Sequence, residues 1–148
     1  MPHTYTNLRY HIVFATKDRH PFIKPEFEER LYEYIGGTIR GLGGISLELG
    51  GMDEHMHLMT KLKPTMNVSK FIEKLKPSVT MWARSVIHPK FEWQDGYGAF
   101  TIGESQIPGV RNYIRNQKEH HKKQTFDDEF KNLLTQANID FDEKYLWK

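Results

Sequence analysis

Two short stretches of this chain carry side chains whose types and spacing could do chemistry together. In Glu54-His55-Met56-His57-Leu58-Met59 two histidines alternate with apolar residues. Successive side chains of a strand point to opposite faces, so His55 and His57 present both imidazoles on one side while Met56 and Leu58 face the other. Two neutral imidazoles placed in this way can share one cation. In Val110-Arg111-Asn112-Tyr113-Ile114-Arg115-Asn116-Gln117 the i, i+4 spacing brings Tyr113 and Gln117 onto one helix face, and His120 and His121 continue the stripe. A phenol, an amide oxygen and further imidazoles then lie together, and the phenol is a candidate nucleophile.

Each feature also has a plain reading. His55 and His57 could be solvated side chains of an edge strand. Tyr113 could be half-buried in the packing of a helix whose apolar side includes Val110 and Ile114, although its place between Arg111 and Arg115 favours a functional role. Glu119-His120-His121-Lys122-Lys123 could be a solvated charged end. Asp53 and Glu54 read as turn residues, because strand alternation turns Glu54 away from the histidine face.

The elements that must position these groups follow from the hydrophobic pattern. Leu8 to Thr16 alternates Tyr10, Ile12 and Phe14 with His11, Val13 and Ala15, a first strand broken by Lys17-Asp18-Arg19-His20-Pro21. From Pro25, a residue suited to a first helical turn, Phe27, Leu31, Tyr34, Ile35, Ile39 and Leu42 recur at helical steps, closed by Gly41, Gly43 and Gly44. Ile45, Leu47 and Leu49 alternate against Ser46 and Glu48, and the turn at Gly50-Gly51-Met52-Asp53 leads into the histidine strand, His55 to Leu62, as a β-hairpin. Asn67 caps a second helix marked by Val68, Phe71, Ile72, Leu75, Val79, Trp82 and Val86, in which Pro77 should kink or split the helix. Tyr97 to Ile102 reads as the fourth strand, with Gly96 and Gly98 weakening it or marking close approach of another backbone. Gly103 to Gly109 is a flexible joint before the tyrosine helix, which runs to about Lys123, and Asp127 to Ala137 offers a last short helix through Phe130, Leu133, Leu134 and Ala137.

The order β-α-β-β-α-β is that of an α+β, ferredoxin-like or RRM-like split βαβ sheet, followed here by the tyrosine-bearing helix and a short C-terminal helix. Two helices should cover one face and leave the other free for ligand. The histidines must point to that open face or its edge, because a core position would leave their nitrogens unsatisfied.

At 148 residues with 38% hydrophobic content the chain is expected to form a single domain over 1–148. It has no cysteine, which excludes disulfides, thiolate zinc sites and cysteine nucleophiles and leaves His, Asp, Glu and Gln as metal ligands. No apolar run approaches the roughly 20 residues that cross a bilayer, and Met1-Pro2-His3-Thr4-Tyr5 lacks the pattern of a signal peptide, so a cytoplasmic protein is expected. The net charge of +2 permits nucleic-acid binding without demanding it. Arg9, Lys17, Arg19, Arg111, Arg115 and Lys118 are candidates for contacting DNA phosphates. Phe91, Trp93 and Tyr97 could stack on unpaired bases, although packing is the plainer role for them.

A His-hydrophobic-His strand followed some tens of residues later by Tyr-x-x-x-Gln on a helix resembles the single-tyrosine HUH transposases of the IS200/IS605 type and their REP-associated relatives. The resemblance also takes in Tyr10-His11-Ile12-Val13-Phe14-Ala15-Thr16-Lys17-Asp18-Arg19, Gly96-Tyr97-Gly98-Ala99-Phe100 and Phe141-Asp142-Glu143-Lys144-Tyr145-Leu146-Trp147. It implies a divalent cation, Mg²⁺ or Mn²⁺, held by His55, His57 and the Gln117 side-chain oxygen, with His121 as a candidate additional ligand. It implies Tyr113, at or near its deprotonated state beside that cation, as the nucleophile that becomes linked to a 5′-phosphate. It further implies single-stranded DNA with hairpins as substrate, and a homodimer in which the tyrosine helix can be exchanged through the Gly103 to Gly109 joint. Some members of the family carry an acidic residue three before the first histidine; here that residue is Met52, so no carboxylate ligand is expected from that position.

Other classes fit parts of the pattern. A non-catalytic RRM-like nucleic-acid-binding module would share the fold but need not keep both histidines, the tyrosine and the glutamine. A replication-initiator or relaxase nickase would share the chemistry but usually in a longer chain. Residue patterns alone do not separate a mobile-element enzyme from a domesticated repeat-processing nickase, nor do they give the target sequence, the physiological metal, or whether Tyr113 serves its own chain or a partner.

Overall fold

The computed structural model describes residues 3–146, so Trp147 of the closing motif lies outside the described residues. β1 (Leu8–Ala15), α1 (Pro25–Gly41), β2 (Ile45–Gly51), β3 (His55–Leu62), α2 (Val68–Val86) and β4 (Gly98–Thr101) follow in the expected β-α-β-β-α-β order. The strands form one sheet, β2-β3-β1-β4, with every neighbouring pair antiparallel. Its two inner strands are β1 and β3, so the histidines stand on a central strand, not an edge.

One face of the sheet packs on α1 and α2. Ile12, Phe14, Met56 and Leu58 meet Leu31, Ile35 and Ile39 of α1 and Phe71, Leu75 and Val79 of α2, and each aliphatic or aromatic side chain fully buried here contributes about 1.5–3 kcal/mol. The Asn67 side chain accepts a hydrogen bond from the Lys70 amide at 2.8 Å and so caps α2. Pro77 does not split α2, which runs through this residue as one element of 19 residues. Pro77 sits on the exposed side, and the apolar stripe on the opposite side anchors both halves of the helix, which offsets the roughly 3 kcal/mol cost of an interior proline.

The second face is not free. α3 (Ile107–Arg115), α4 (Gln117–His120) and α5 (Phe126–Gln136) lie over it, packed through Met59, Ile102 and Ile114 on one side and through Val13, Ala15 and Phe126 on the other. The joint between β4 and α3 is shorter than Gly103 to Gly109, because a 3₁₀ turn occupies Glu104–Gln106 and Gly109 already belongs to α3. The tyrosine helix also stops early: Asn116, at φ −98° and ψ 23°, separates α3 from α4 instead of continuing one helix to Lys123.

β2 carries a bulge between Ser46 and Glu48. A one-residue slip exchanges the faces of everything beyond it. Leu47 accordingly packs with Met59 and Ile114 while Leu49 packs with the α1/α2 core, so the three apolar residues of β2 do not share the face that simple alternation gives them. Beyond the bulge Gly50 pairs with His57, and α3 approaches so closely that a Cβ on Gly50 would lie 2.3 Å from the Ile114 carbonyl oxygen. At Gly98 the close neighbour is a side chain, the Phe130 ring, and not another backbone. No helix among the described residues is long and apolar enough to cross a membrane.

Candidate active site

β1 and β3 present His11, Val13 and Ala15 beside Met59, His57 and His55 on the face under α3–α5, in the register His11↔Met59, Val13↔His57, Ala15↔His55. Side-chain alternation on adjacent central strands therefore gathers three imidazoles. Each of the two expected histidines is held by its Nδ1. His55 Nδ1 lies 2.5 Å from Glu54 Oε1, and His57 Nδ1 lies 2.8 Å from His11 Nε2 with the two rings stacked. Such outer partners fix ring orientation and leave Nε2 as the working nitrogen. Both Nε2 atoms face the space between the sheet and α3–α5.

Glu54 is a correction. Read as a turn residue pointing away, it precedes the first strand residue of β3, where alternation does not yet apply, and its carboxylate reaches His55 directly.

The centre of the site is Glu129 of α5, which exposes 1% of its surface. Its Oε1 lies 2.8 Å from His121 Nε2, 3.3 Å from His55 Nε2 and 3.4 Å from His57 Nε2. Its Oε2 accepts the Tyr113 hydroxyl and, at 2.9 Å, the Gln117 amide nitrogen. Gln117 is also 1% exposed, and its Oε1 is 2.9 Å from His55 Nε2. The break at Asn116 does not separate Tyr113 from Gln117, since both end on the same carboxylate. His57 Nε2 is buried and has no hydrogen-bond partner; at 3.4 Å Glu129 is too distant and misaligned.

His55, His57, Tyr113, Gln117 and His121 are thus brought together. His120 is not a neighbour of the histidine pair and packs its ring against Tyr113 at 4.8 Å. Phe126 stacks on His55 with ring centroids 4.2 Å apart. Phe91 and Trp93 are core residues, while Tyr97 is 40% exposed. All six candidate DNA-contacting residues face carboxylates of their own chain: Arg9 Glu104, Lys17 Glu92, Arg19 Asp127, Arg111 and Arg115 Glu48, and Lys118 Glu28.

Glu129, Glu54 and His11 escaped the sequence reading. For Glu129 a signal existed: it falls on the apolar stripe of α5 with Phe126, Phe130, Leu133 and Leu134, where a carboxylate needs a buried partner. For His11 the signal was its place on the same face as Val13 and Ala15.

The site's electrostatics follow from burial and from Glu129. Burial alone would lower the pKa of His55, but hydrogen bonds to Glu129 and Glu54 and the Glu129 charge outweigh it and raise the value to about 9. Burial dominates at His57, lowered to about 4, and at His11, lowered to about 3 with help from His57. Burial opposes the Glu129 charge, yet the hydrogen bond from His121 and the close imidazoles of His55 and His57 hold its pKa well below the usual carboxylate range. Burial, then the adjacent Glu129, pushes the Tyr113 phenol above its ordinary value. Without a cation beside it, the Tyr113 hydroxyl donates its hydrogen bond to Glu129 Oε2.

His55, His121 and Glu129 offer donor atoms all within 4.8 Å of one another, a buried cluster able to hold a metal ion. A four-stranded antiparallel sheet of this topology, bearing a His-x-His strand under a tyrosine helix, defines a class of DNA-processing protein, and the comparisons agree. Residues 4–117 match the family described as "Transposase IS200 like", and the chain belongs to that family. It is 30% identical over 133 residues to the transposase for insertion sequence element IS200 of Salmonella typhimurium strain LT2, covering 82% of this chain and 84% of the relative. The ISDra2 transposase TnpA of Deinococcus radiodurans is 24% identical over 122 residues, covering 76% and 85%. Two solved structures share the fold. A candidate transposase from Deinococcus radiodurans R1 superposes with a TM-score of 0.64 at 24% identity, covering 78% of this chain and 94% of that one. A REP-associated tyrosine transposase bound to a REP hairpin gives 0.63 at 17% identity, covering 80% and 71%.

Proposed function

We propose that this transposase is metal-dependent and cuts and rejoins single-stranded DNA through a covalent 5′-phosphotyrosine on Tyr113. The observation that carries the reading is the convergence of the Tyr113 hydroxyl, the Gln117 amide and the Nε2 atoms of His55 and His57 on one buried point.

The donor set fits a divalent cation. His57 Nε2 is a buried nitrogen with no hydrogen-bond partner, His55 Nε2 and Gln117 Oε1 stand 2.9 Å apart, and Glu54 and His11 hold the outer nitrogens. His55, His57 and Gln117 would hold it, and mixed nitrogen and oxygen donors suit Mg²⁺ or Mn²⁺. When bound, the cation polarises the scissile phosphate and stabilises charge on the leaving 3′-oxygen. Tyr113 Oη attacks phosphorus, its bond to phosphorus forms as the bond to the 3′-oxygen breaks, the phenolic proton passes to Glu129 Oε2, which the hydroxyl already faces, and on to solvent, and the departing 3′-oxygen takes a proton from solvent. In rejoining, a 3′-hydroxyl attacks the phosphotyrosine and Tyr113 regains a proton. One phosphorus–oxygen bond replaces another in each direction, so no ATP is consumed.

Hairpins near the ends of the DNA element are the proposed recognition feature, supported by the REP hairpin bound to a protein of the same fold. A cleft whose lining mixes Arg19, Lys122 and Lys123 with Glu54, Asp127 and Asp128 borders the cluster at His121 and is the proposed approach for a strand. The proposed assembly is a cytoplasmic homodimer, and the 5.7 Å between the Tyr113 and His57 rings of one chain supports a tyrosine that serves its own histidines over one exchanged between chains.

The test is incubation with Mg²⁺ and labelled single-stranded DNA carrying the hairpin flanks of the protein's own locus, wild type against Tyr113→Phe, on a denaturing gel. A covalent band that needs both the metal and the tyrosine hydroxyl is the expected result. Binding without an adduct in either protein, across several flanks and with Mn²⁺ as well, would replace this reading with that of a nucleic-acid-binding module.

A further inference from the structure

Resting on that reading, we propose that Glu129 is the anionic ligand of the cation, bound through Oε1, while its Oε2 tethers the Tyr113 hydroxyl to the same centre. The residue lies twelve positions beyond the last residue matched by the family, Gln117, so the match itself assigns it nothing.

Charge is the first argument. His55, His57 and Gln117 are neutral donors when they bind a metal, and Mg²⁺ or Mn²⁺ favours anionic oxygen. Among the described residues Glu129 is the carboxylate within 4.0 Å of the working nitrogens, since Glu54 is engaged on the opposite nitrogen of His55.

Spacing is the second. Adjacent ligands of an octahedral ion at about 2.1 Å are separated by √2 times that length, about 3.0 Å. The pairs in this site are 2.9 Å (His55 Nε2 to Gln117 Oε1), 3.3 Å (His55 Nε2 to Glu129 Oε1) and 3.4 Å (His57 Nε2 to Glu129 Oε1). The first matches that spacing and the other two exceed it by about 0.3–0.4 Å, so a small closure would bring Glu129 Oε1 to ligand distance beside both imidazoles.

The third is what the sequence spends to place it. A carboxylate on the apolar stripe of α5 costs several kcal/mol to bury unless it is paired, and the partners it finds are site residues: Tyr113, Gln117, His121 and the two β3 histidines. The division of labour follows from the two oxygens. Oε1 faces the imidazoles and Oε2 faces the phenol and the amide, so one side chain can touch the cation and position the nucleophile together.

Binding of Mn²⁺ to the full chain without DNA, followed by the electron paramagnetic resonance of the free ion, tests this apart from catalysis. Wild type should bind, and Glu129→Gln should weaken binding by at least 10-fold, as should His57→Ala; loss of even an outer partner of a metal ligand typically costs about 10–100-fold. Glu129→Gln binding like wild type while His57→Ala fails would overturn the role of Glu129 and leave the histidine site standing. A wild type that binds no Mn²⁺ would overturn both. A Mn²⁺-soaked crystal of the unmodified chain asks the same question without a variant: an anomalous peak at about 2.1 Å from Glu129 Oε1 supports the assignment, and carboxylate oxygens more than about 4 Å from the ion refute it.

Discussion

Replacing Gly50 with alanine should disable the enzyme without touching any group that does chemistry. Gly50 pairs with His57 across the β2–β3 hairpin, and its missing side chain lets α3 rest on the strand. An alanine Cβ would stand 2.3 Å from the Ile114 carbonyl oxygen and 2.9 Å from Ile114 Cγ2, where 3.0 Å is the floor for real Cβ contacts. The nearest atom is backbone, so no rotamer relieves the clash, and α3 must retreat by at least about 0.7 Å. Ile114 is bonded to Tyr113, and the nucleophile moves with it. A displacement approaching 1 Å costs about 100-fold in rate, while overpacking of this kind costs about 1–3 kcal/mol of stability, within the 5–15 kcal/mol of a typical domain. The assay is single-turnover formation of the protein–DNA adduct, with folding monitored by circular dichroism and a thermal melt. Gly109→Ala is the internal control: it lies in the same helix, its Cβ would meet nothing within 4 Å, and it should leave the rate unchanged and stabilise the helix by about 0.5–1 kcal/mol. A folded Gly50→Ala protein whose rate stays within about threefold of wild type would refute the idea that contact with β2 places Tyr113.

Three further outcomes follow from the site. In the presence of a chelator, stability should peak near pH 6.5: His55, at about 9 against 6.5 unfolded, contributes fully below 6.5 and is lost as pH rises through 9, while His57 and His11, at about 4 and 3, refuse protons that the unfolded chain accepts, so stability also falls in acid. The alkaline loss should be on the order of 3 kcal/mol at roughly 1.4 kcal/mol per pH unit, and a flat urea-unfolding free energy from pH 6.5 to 9 would contradict it. Because His55 presents both nitrogens to acceptors, Glu54 Oε1 and Gln117 Oε1, cation binding through Nε2 should expel about one proton at pH 7, seen by calorimetry in buffers of different ionisation enthalpy, and apparent affinity should rise about 10-fold per pH unit toward pH 9; no proton release means that His55 is already neutral. A mixture of Tyr113→Phe and His57→Ala chains should form no adduct, since the Tyr113 and His57 rings are 5.7 Å apart within one chain; recovery of activity on mixing would show that the tyrosine helix is exchanged.

The sheet, its order and the shared face of His55 and His57 were legible because period-two alternation and a glycine turn act locally. Tyr113 and Gln117 were legible as a pair through helical spacing, although the break at Asn116 was not, since nothing in Ile114-Arg115-Asn116-Gln117 forbids a helix. The bulge at Leu47 was hidden for a related reason: it swaps the faces of Leu47 and Leu49 without altering their residue types. Glu129 stands in Asp127-Asp128-Glu129, where three acids suit a helix start equally well, and only the packing of α5 on the second sheet face selects the one that turns inward. That packing is long-range, which is also why the second face was expected to be open.

The burial of the site determines the order of events. His55, His57, Gln117 and Glu129 are each at most 1% exposed, so a DNA phosphate cannot touch any of them while α3, α4 and α5 lie down on the sheet. α3 is held down by Met59, Ile102 and Ile114, with Leu47, Ile107 and Val110 packed around them, and by Arg111 and Arg115 against Glu48. The phosphate chemistry proposed for Tyr113 therefore requires α3, α4 and α5 to shift from the sheet before a strand can enter.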